Sequence, residues 1–133
     1  MRQGVLYLDS SALIKLIFEE PETSSLAEFL DAWPTRASSS LASIEVLRTA
    51  QLVNDDPVTG YARHLLAHVH LIRPDDPVLA AAMHVEPASL RALDAIHLAT
   101  ALSFGHELAG MVVYDRRLAE AARRAGLTVW APK

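Results

Sequence analysis

Cysteine is absent from the 133 residues. That excludes disulfides, thiolate metal sites and cysteine nucleophiles, and it fits a reducing compartment. A basic excess is absent too: 12 Lys and Arg against 16 Asp and Glu leave a formal net charge of −4. Proteins that grip nucleic acid by charge alone are usually basic. Any nucleic-acid chemistry here therefore needs a divalent cation or a basic partner to offset phosphate repulsion. No apolar run approaches the roughly 18 residues of a membrane span. The first apolar stretch is broken at Asp9 almost at once, which argues against a signal peptide. The five glycines form no Gly-rich phosphate loop, which argues against a nucleotide-binding domain. There is no internal repeat and no low-complexity segment.

What is present is a hydrophobic fraction of 51%, enough for a real core in one domain over residues 1–133. The expected location is cytoplasmic. Short apolar runs alternate with segments of helical period. Strands are expected at 4–8, near Arg36 to Ser38, at "HLIRP", at "GMVVYD" and at "LTVWAP". Helices are expected at "SSALIKLIF", "ETSSLAEFLDAW", "LASIEVLRTAQLV", "YARHLLAHV", "DDPVLAAAMHV", "SLRALDAIHLATALSFG" and "RRLAEAARRAG". Asp76 is the expected cap of the fifth helix, with Pro77 at its first position. Gly105 is the expected stop of the sixth. This alternation predicts an α/β sandwich around a mostly parallel sheet, in which ligands bind beyond the carboxyl ends of the strands.

Four acids stand out against that frame. "VLYLD" and "VVYD" deliver Asp9 and Asp115 to the carboxyl ends of strands. Helix capping alone accounts for either residue. Asp94 fills one step of a four-residue series with Leu90, Leu98 and Leu102, beside Leu93, His97 and Ala101. A carboxylate in an apolar stripe is costly unless it is paired, protonated or bound to a metal. A salt bridge to Arg91, or a place near the helix start, is the plain alternative. Glu45 sits beside Ile44 and Leu47, and a pairing with Arg48 one turn on is its plain alternative. Two of these acids end strands at one sheet edge and two interrupt apolar helix faces. Four carboxylates brought together would repel and raise one another's pKa, and a hard cation such as Mg²⁺ or Mn²⁺ resolves this. On that reading Asp9 is a metal ligand, and Ser10 and Ser11 do the capping.

Other candidates are weaker. His64 and His68 stand four apart, a spacing that can bind zinc, but no glutamate follows His64 and no third ligand is identifiable. His97 either lines the site or packs behind it. Arg116, Arg117, Arg123 and Arg124 form a basic helix surface interrupted by Glu120.

The order "LYLDSSALIKL", "SSSLASIEVLR", "LRALDAIHLATAL" and "VVYDRRLAEAARRAGLTVWAP" resembles the PIN-domain ribonucleases. More narrowly, it resembles the VapC toxins of VapBC type II toxin–antitoxin systems. The resemblance runs from Val5 to Pro132. It implies a single PIN domain, 1–133, with a PIN-like three-layer α/β/α sandwich. It implies a metal-dependent endoribonuclease that inhibits translation and growth, in which Asp9, Glu45, Asp94 and Asp115 hold Mg²⁺ (or Mn²⁺). Ser11 matches a position that supports the first acid. A cognate VapB-type antitoxin, an RNA substrate and a homodimer follow from the same resemblance, and a membrane does not. Some members carry a further acid after the fourth. Here Arg116 and Arg117 stand there instead, as candidate contacts to the RNA backbone. Two rival functions stay open: a non-catalytic binding module on the same fold, and an aspartate-based phosphotransfer domain. The latter usually needs a second Asp at the position of Ser11.

Overall fold

The computed structural model describes residues 1–133. In chain order the elements are β1 (Val5–Leu8), α1 (Ser10–Ile17), α2 (Thr23–Leu30), β2 (Arg36–Ser39), α3 (Ser40–Val53), α4 (Asp56–Ala67), β3 (His70–Ile72), α5 (Asp76–Ala82), α6 (Ala92–Leu102), β4 (Leu108–Val112), α7 (Arg116–Arg124) and β5 (Val129–Trp130). The five strands pair in the order β3-β2-β1-β4-β5, and every pairing is parallel. No helix is long and apolar enough to cross a membrane.

The alternation of β1 explains the layers, because successive strand side chains point to opposite faces. Leu6 and Leu8 join Ala12, Leu13, Leu26, Val46, Ala62 and Leu66 in a core beneath α1 to α4. Tyr7 points the other way, into a second core with Leu98, Met111, Leu118 and Ala122 beneath α6 and α7. The chain moves outward from β1 to β3 and then returns to the other side of β1 for β4. Asp9 and Asp115 therefore follow the two strands that flank the point where strand order reverses, the place where such sheets form a crevice.

At the far edge, Gly110 of β4 leaves room for the last strand. A Cβ there would lie 2.5 Å from the Trp130 ring and 2.6 Å from the Thr128 carbonyl oxygen. The Trp130 ring instead packs against Phe29 and Trp33, with centroid separations of 5.5 Å to each.

Several local expectations shift. Asp75, not Asp76, caps α5, its Oδ1 accepting from Val78 N at 2.9 Å. The fifth helix thus begins with Asp76, and Pro77 takes its second position. Helix α6 is shorter than its apolar period suggests. Leu90 N is tied back to Pro87 O at 2.9 Å, and Arg91 is extended at φ −61°, ψ 149°, so the helix starts at Ala92. It ends at Leu102, and Gly105 opens a following 3₁₀ turn. Leu90 is thus outside the helix, and Leu93 and Leu102 are exposed. Strand β4 ends at Val112, two residues before Tyr114.

Candidate active site

Asp9 sits where β1 gives way to α1, and it is 2% exposed. Its Oδ1 accepts from Ala12 N at 3.0 Å and from the Ser11 hydroxyl at 2.6 Å. Asp9 is therefore itself the cap of α1, contrary to the expectation that the serines would fill that role. The helix needs only one of the two carboxylate oxygens, so Oδ2 is left without a hydrogen bond. Ser11 also accepts from Tyr114 N at 3.2 Å, which ties the end of β1 to the segment after β4. Burial pushes the Asp9 carboxyl up to about 6, against the pull of Ser11, Ala12 and His97, and Asp94 adds to the rise.

Glu45 comes from the second turn of α3, whose cap is Ser39. It does not pair with Arg48. Its Oε2 accepts from Ser10 Oγ at 2.9 Å, and its Oε1 accepts from His97 Nε2 at 3.0 Å. Burial opposes its charge, but the hydrogen bond and charge of His97, the Ser10 hydroxyl and Arg91 outweigh it and hold Glu45 below the usual carboxylate range. His97 Nδ1 shares a 2.8 Å hydrogen bond with the Tyr7 hydroxyl. A carboxylate only accepts, so Nε2 carries a proton toward Glu45, and in that tautomer Nδ1 accepts from Tyr7. The result is a buried line from the sheet, through the imidazole, to the site. Tyr7 was not foreseen as a site residue. Its one signal is a lone aromatic directly before "LD" in an aliphatic strand.

Asp94 lies in the first turn of α6 and is itself buried. Arg91 Nε donates to its Oδ2 at 3.1 Å. The same guanidinium places Nη2 3.8 Å from Asp115 Oδ2, and the charges of Asp94, Asp115 and Glu45 hold Arg91 above its ordinary value. Asp115 caps α7, its Oδ1 accepting from Leu118 N at 2.9 Å. As with Asp9, one oxygen caps and the other faces the crevice. The four acids thus lie in one region, with His97 against Glu45 on one side and Arg91 between Asp94 and Asp115 on the other. As the side chains stand, no three His, Asp or Glu residues form a group that could hold a metal ion. Arg116 and Arg117 are exposed at the start of α7 and pair with no carboxylate. Arg117 lines a cavity of about 320 Å³ with Pro87, Ser89 and Arg124, whereas Arg116 faces Tyr114 and Lys133 on the other flank. His64 and His68 are exposed on α4 and its end, with rings 4.6 Å apart. His68 Nδ1 lies 2.9 Å from the His64 carbonyl.

The PIN domain family matches residues 6–124. The chain belongs to the PIN-domain family. Among curated proteins, Ribonuclease VapC46 of Mycobacterium tuberculosis is 44% identical over 129 residues, covering 97% of this chain and 98% of that protein. Ribonuclease VapC47 of the same species is 37% identical over 132 residues, covering 96% and 97%. These relatives set this PIN domain in the VapC branch. A toxin–antitoxin complex from Klebsiella pneumoniae superposes with a TM-score of 0.74 at 23% identity, covering 96% of this chain and 98% of that one. That likeness bears on the fold, a three-layer α/β/α sandwich. The acids of this PIN domain accordingly lie at the crevice its topology creates, two from strand ends and two from helices.

Proposed function

We propose that this chain is the toxin of a type II toxin–antitoxin module, a divalent-metal-dependent endoribonuclease. The observation that carries the reading is the 44% and 37% identity, over nearly the full length, to proteins named as VapC ribonucleases, and the acids Asp9, Glu45, Asp94 and Asp115 are the proposed site. Ribonucleases of this family are metal-dependent as a class, and Mg²⁺ is the proposed ion here, with Mn²⁺ as a substitute. The donor set fits a hard cation, being carboxylate oxygen throughout. The buried Asp9, with one oxygen outside any hydrogen bond, also fits. When bound, such an ion supplies a Lewis acid and an acidified water for attack on phosphorus.

The protein's own contribution is placement. Ser11 and the Ala12 amide fix the Asp9 carboxylate. Ser10 and His97 fix both oxygens of Glu45, and Tyr7 fixes the ring of His97. Asp94 and Asp115 supply the outer oxygens. Arg116 and Arg117, free of ion pairs, are the proposed contacts to the RNA backbone, where a guanidinium matches a phosphate well. The phosphotransfer alternative is disfavoured because Ser11, at the position of the needed second Asp, is committed to Asp9 and Tyr114.

The proposed partners are RNA, a second copy of the chain and a basic antitoxin of the VapB type, acting in the cytoplasm. The net charge of −4 favours encounter with a basic segment, and Ile44, Leu52 and Leu93 expose apolar surface beside Glu45. The test is cleavage of RNA by the purified protein across a Mg²⁺ titration, with and without chelator. Metal-dependent cleavage, suppressed by the product of the adjacent gene, is the expected result. Cleavage that survives chelator would refute the metal role, and a neighbour that neither binds nor inhibits would refute the module.

A further inference from the structure

The outer half of the site contains a cation of its own. Arg91 bridges Asp94 and Asp115 at 3.1 and 3.8 Å, and in that arrangement no three ligating side chains form an ion site. Its side chain is 72% exposed. It leaves the backbone at the extended residue before α6, and its only ion pairs are with these two carboxylates. It is therefore free to swing outward without disturbing the core. We propose that Arg91 is a built-in counter-cation that competes with the divalent ion for Asp94 and Asp115, and so sets the ion concentration at which the site fills. This rests on the metal-dependent reading above and adds a threshold to it.

The physical case is competition for the same oxygens. Arg91 holds Oδ2 of both acids: in Asp115 it is the oxygen left over when Oδ1 caps the helix, and in Asp94 it is the oxygen that accepts from Arg91 Nε. A dication needs those oxygens and is repelled by a guanidinium beside them. In water-like surroundings a unit positive charge about 6 Å from a dication lowers its affinity about tenfold. His97 differs in kind: it is buried, and it holds Glu45 from behind without lying between two acids.

The test is direct titration of the full-length protein with Mn²⁺, with bound ion read from water-proton relaxation and no RNA present. Arg91→Gln is expected to bind Mn²⁺ about tenfold more tightly than wild type, and Arg91→Lys to stay near wild type. Arg63→Gln, an equal charge change at an exposed and unpaired position on α4, is expected to leave the affinity unchanged. Asp94→Asn reports on the site itself. If wild type binds Mn²⁺ and Asp94→Asn does not, while Arg91→Gln binds no more tightly than wild type, the counter-cation is refuted and the metal site stands. Tightening by Arg63→Gln equal to that by Arg91→Gln would reduce the effect to net charge and also refute it. If neither wild type nor Arg91→Gln binds Mn²⁺, both readings fall.

Discussion

The inner and outer halves of the site hold their carboxylates by different means. Asp9 and Glu45 are fixed from within, by serine hydroxyls, a backbone amide and an imidazole that is itself anchored to Tyr7. The His97 side chain is 2% exposed. Asp94 and Asp115 are joined from outside by an arginine that is mostly in water. Buried hydrogen-bonded networks are rigid and costly to break, whereas exposed ion pairs contribute little and exchange readily. The protein thus offers one pair of acids already positioned and one pair whose partner can be replaced.

The largest expected effect breaks the outer half. Asp94→Asn should reduce RNA cleavage below about 1% of wild type, since losing even a residue that only orients a ligand costs 10–100-fold. The protein should stay folded by circular dichroism, because Asp94 caps nothing. Cleavage assays on matched preparations check both points, and an active Asp94→Asn protein removes this residue from the metal reading.

The next effect is a pH dependence belonging to the inner half. Burial raises Asp9 from its ordinary 3.8 to about 6, so between those values the folded protein binds more protons than the unfolded chain. The metal-free protein should therefore be most favoured below about pH 4 as far as this group is concerned, and lose on the order of 3 kcal/mol as pH rises through 6. Asp9→Asn should flatten that slope. Urea unfolding at a series of pH values in chelator measures it, and an unchanged slope in Asp9→Asn assigns the dependence elsewhere.

His97→Leu should cost about 2–3 kcal/mol, because it strands the buried Tyr7 hydroxyl and removes a partner of Glu45. It should also lower cleavage by 10–100-fold, a larger stability effect than any outer substitution gives. The smallest effect completes the comparison. Arg91→Gln should leave the unfolding midpoint of the ion-free protein close to wild type, since the guanidinium itself is mostly in water and a glutamine amide can still donate to Asp94. Equal losses of stability from His97→Leu and Arg91→Gln would erase the distinction between the halves.

The sheet and its helices were legible in the sequence because alternation and helical period are local signals, although α4 begins at Asp56, five residues before the expected Tyr61, on a cap from Asp55. Legibility fell where local signals conflict with chain geometry. The period of Leu90, Leu98 and Leu102 extends past both ends of α6, because the turn at Pro87 and the extended Arg91 delay the helix. The roles of Asp9 were read as exclusive, metal ligand or cap, although a carboxylate has two oxygens and can cap with one. The site role of Tyr7 and the bond from Ser10 to Glu45 escaped notice because the partners lie 90 and 35 residues away, and no spacing rule connects residues at that range. Arg91 was noticed only as a neighbour of Asp94. Its reach to Asp115 is a property of the fold.

The aromatic cluster at the sheet edge has an optical consequence. Trp33 and Trp130 are the chain's two tryptophans. They lie 5.5 Å apart with Phe29 against both, and none of the four acids bonds to them. Indole emission therefore reports whether β5 is docked over Gly110. Excitation passes readily between two indoles this close, so undocking of the last strand changes the polarisation of the emitted light as well as its colour. One fluorescence signal can thus follow the docking of the last strand as the protein unfolds.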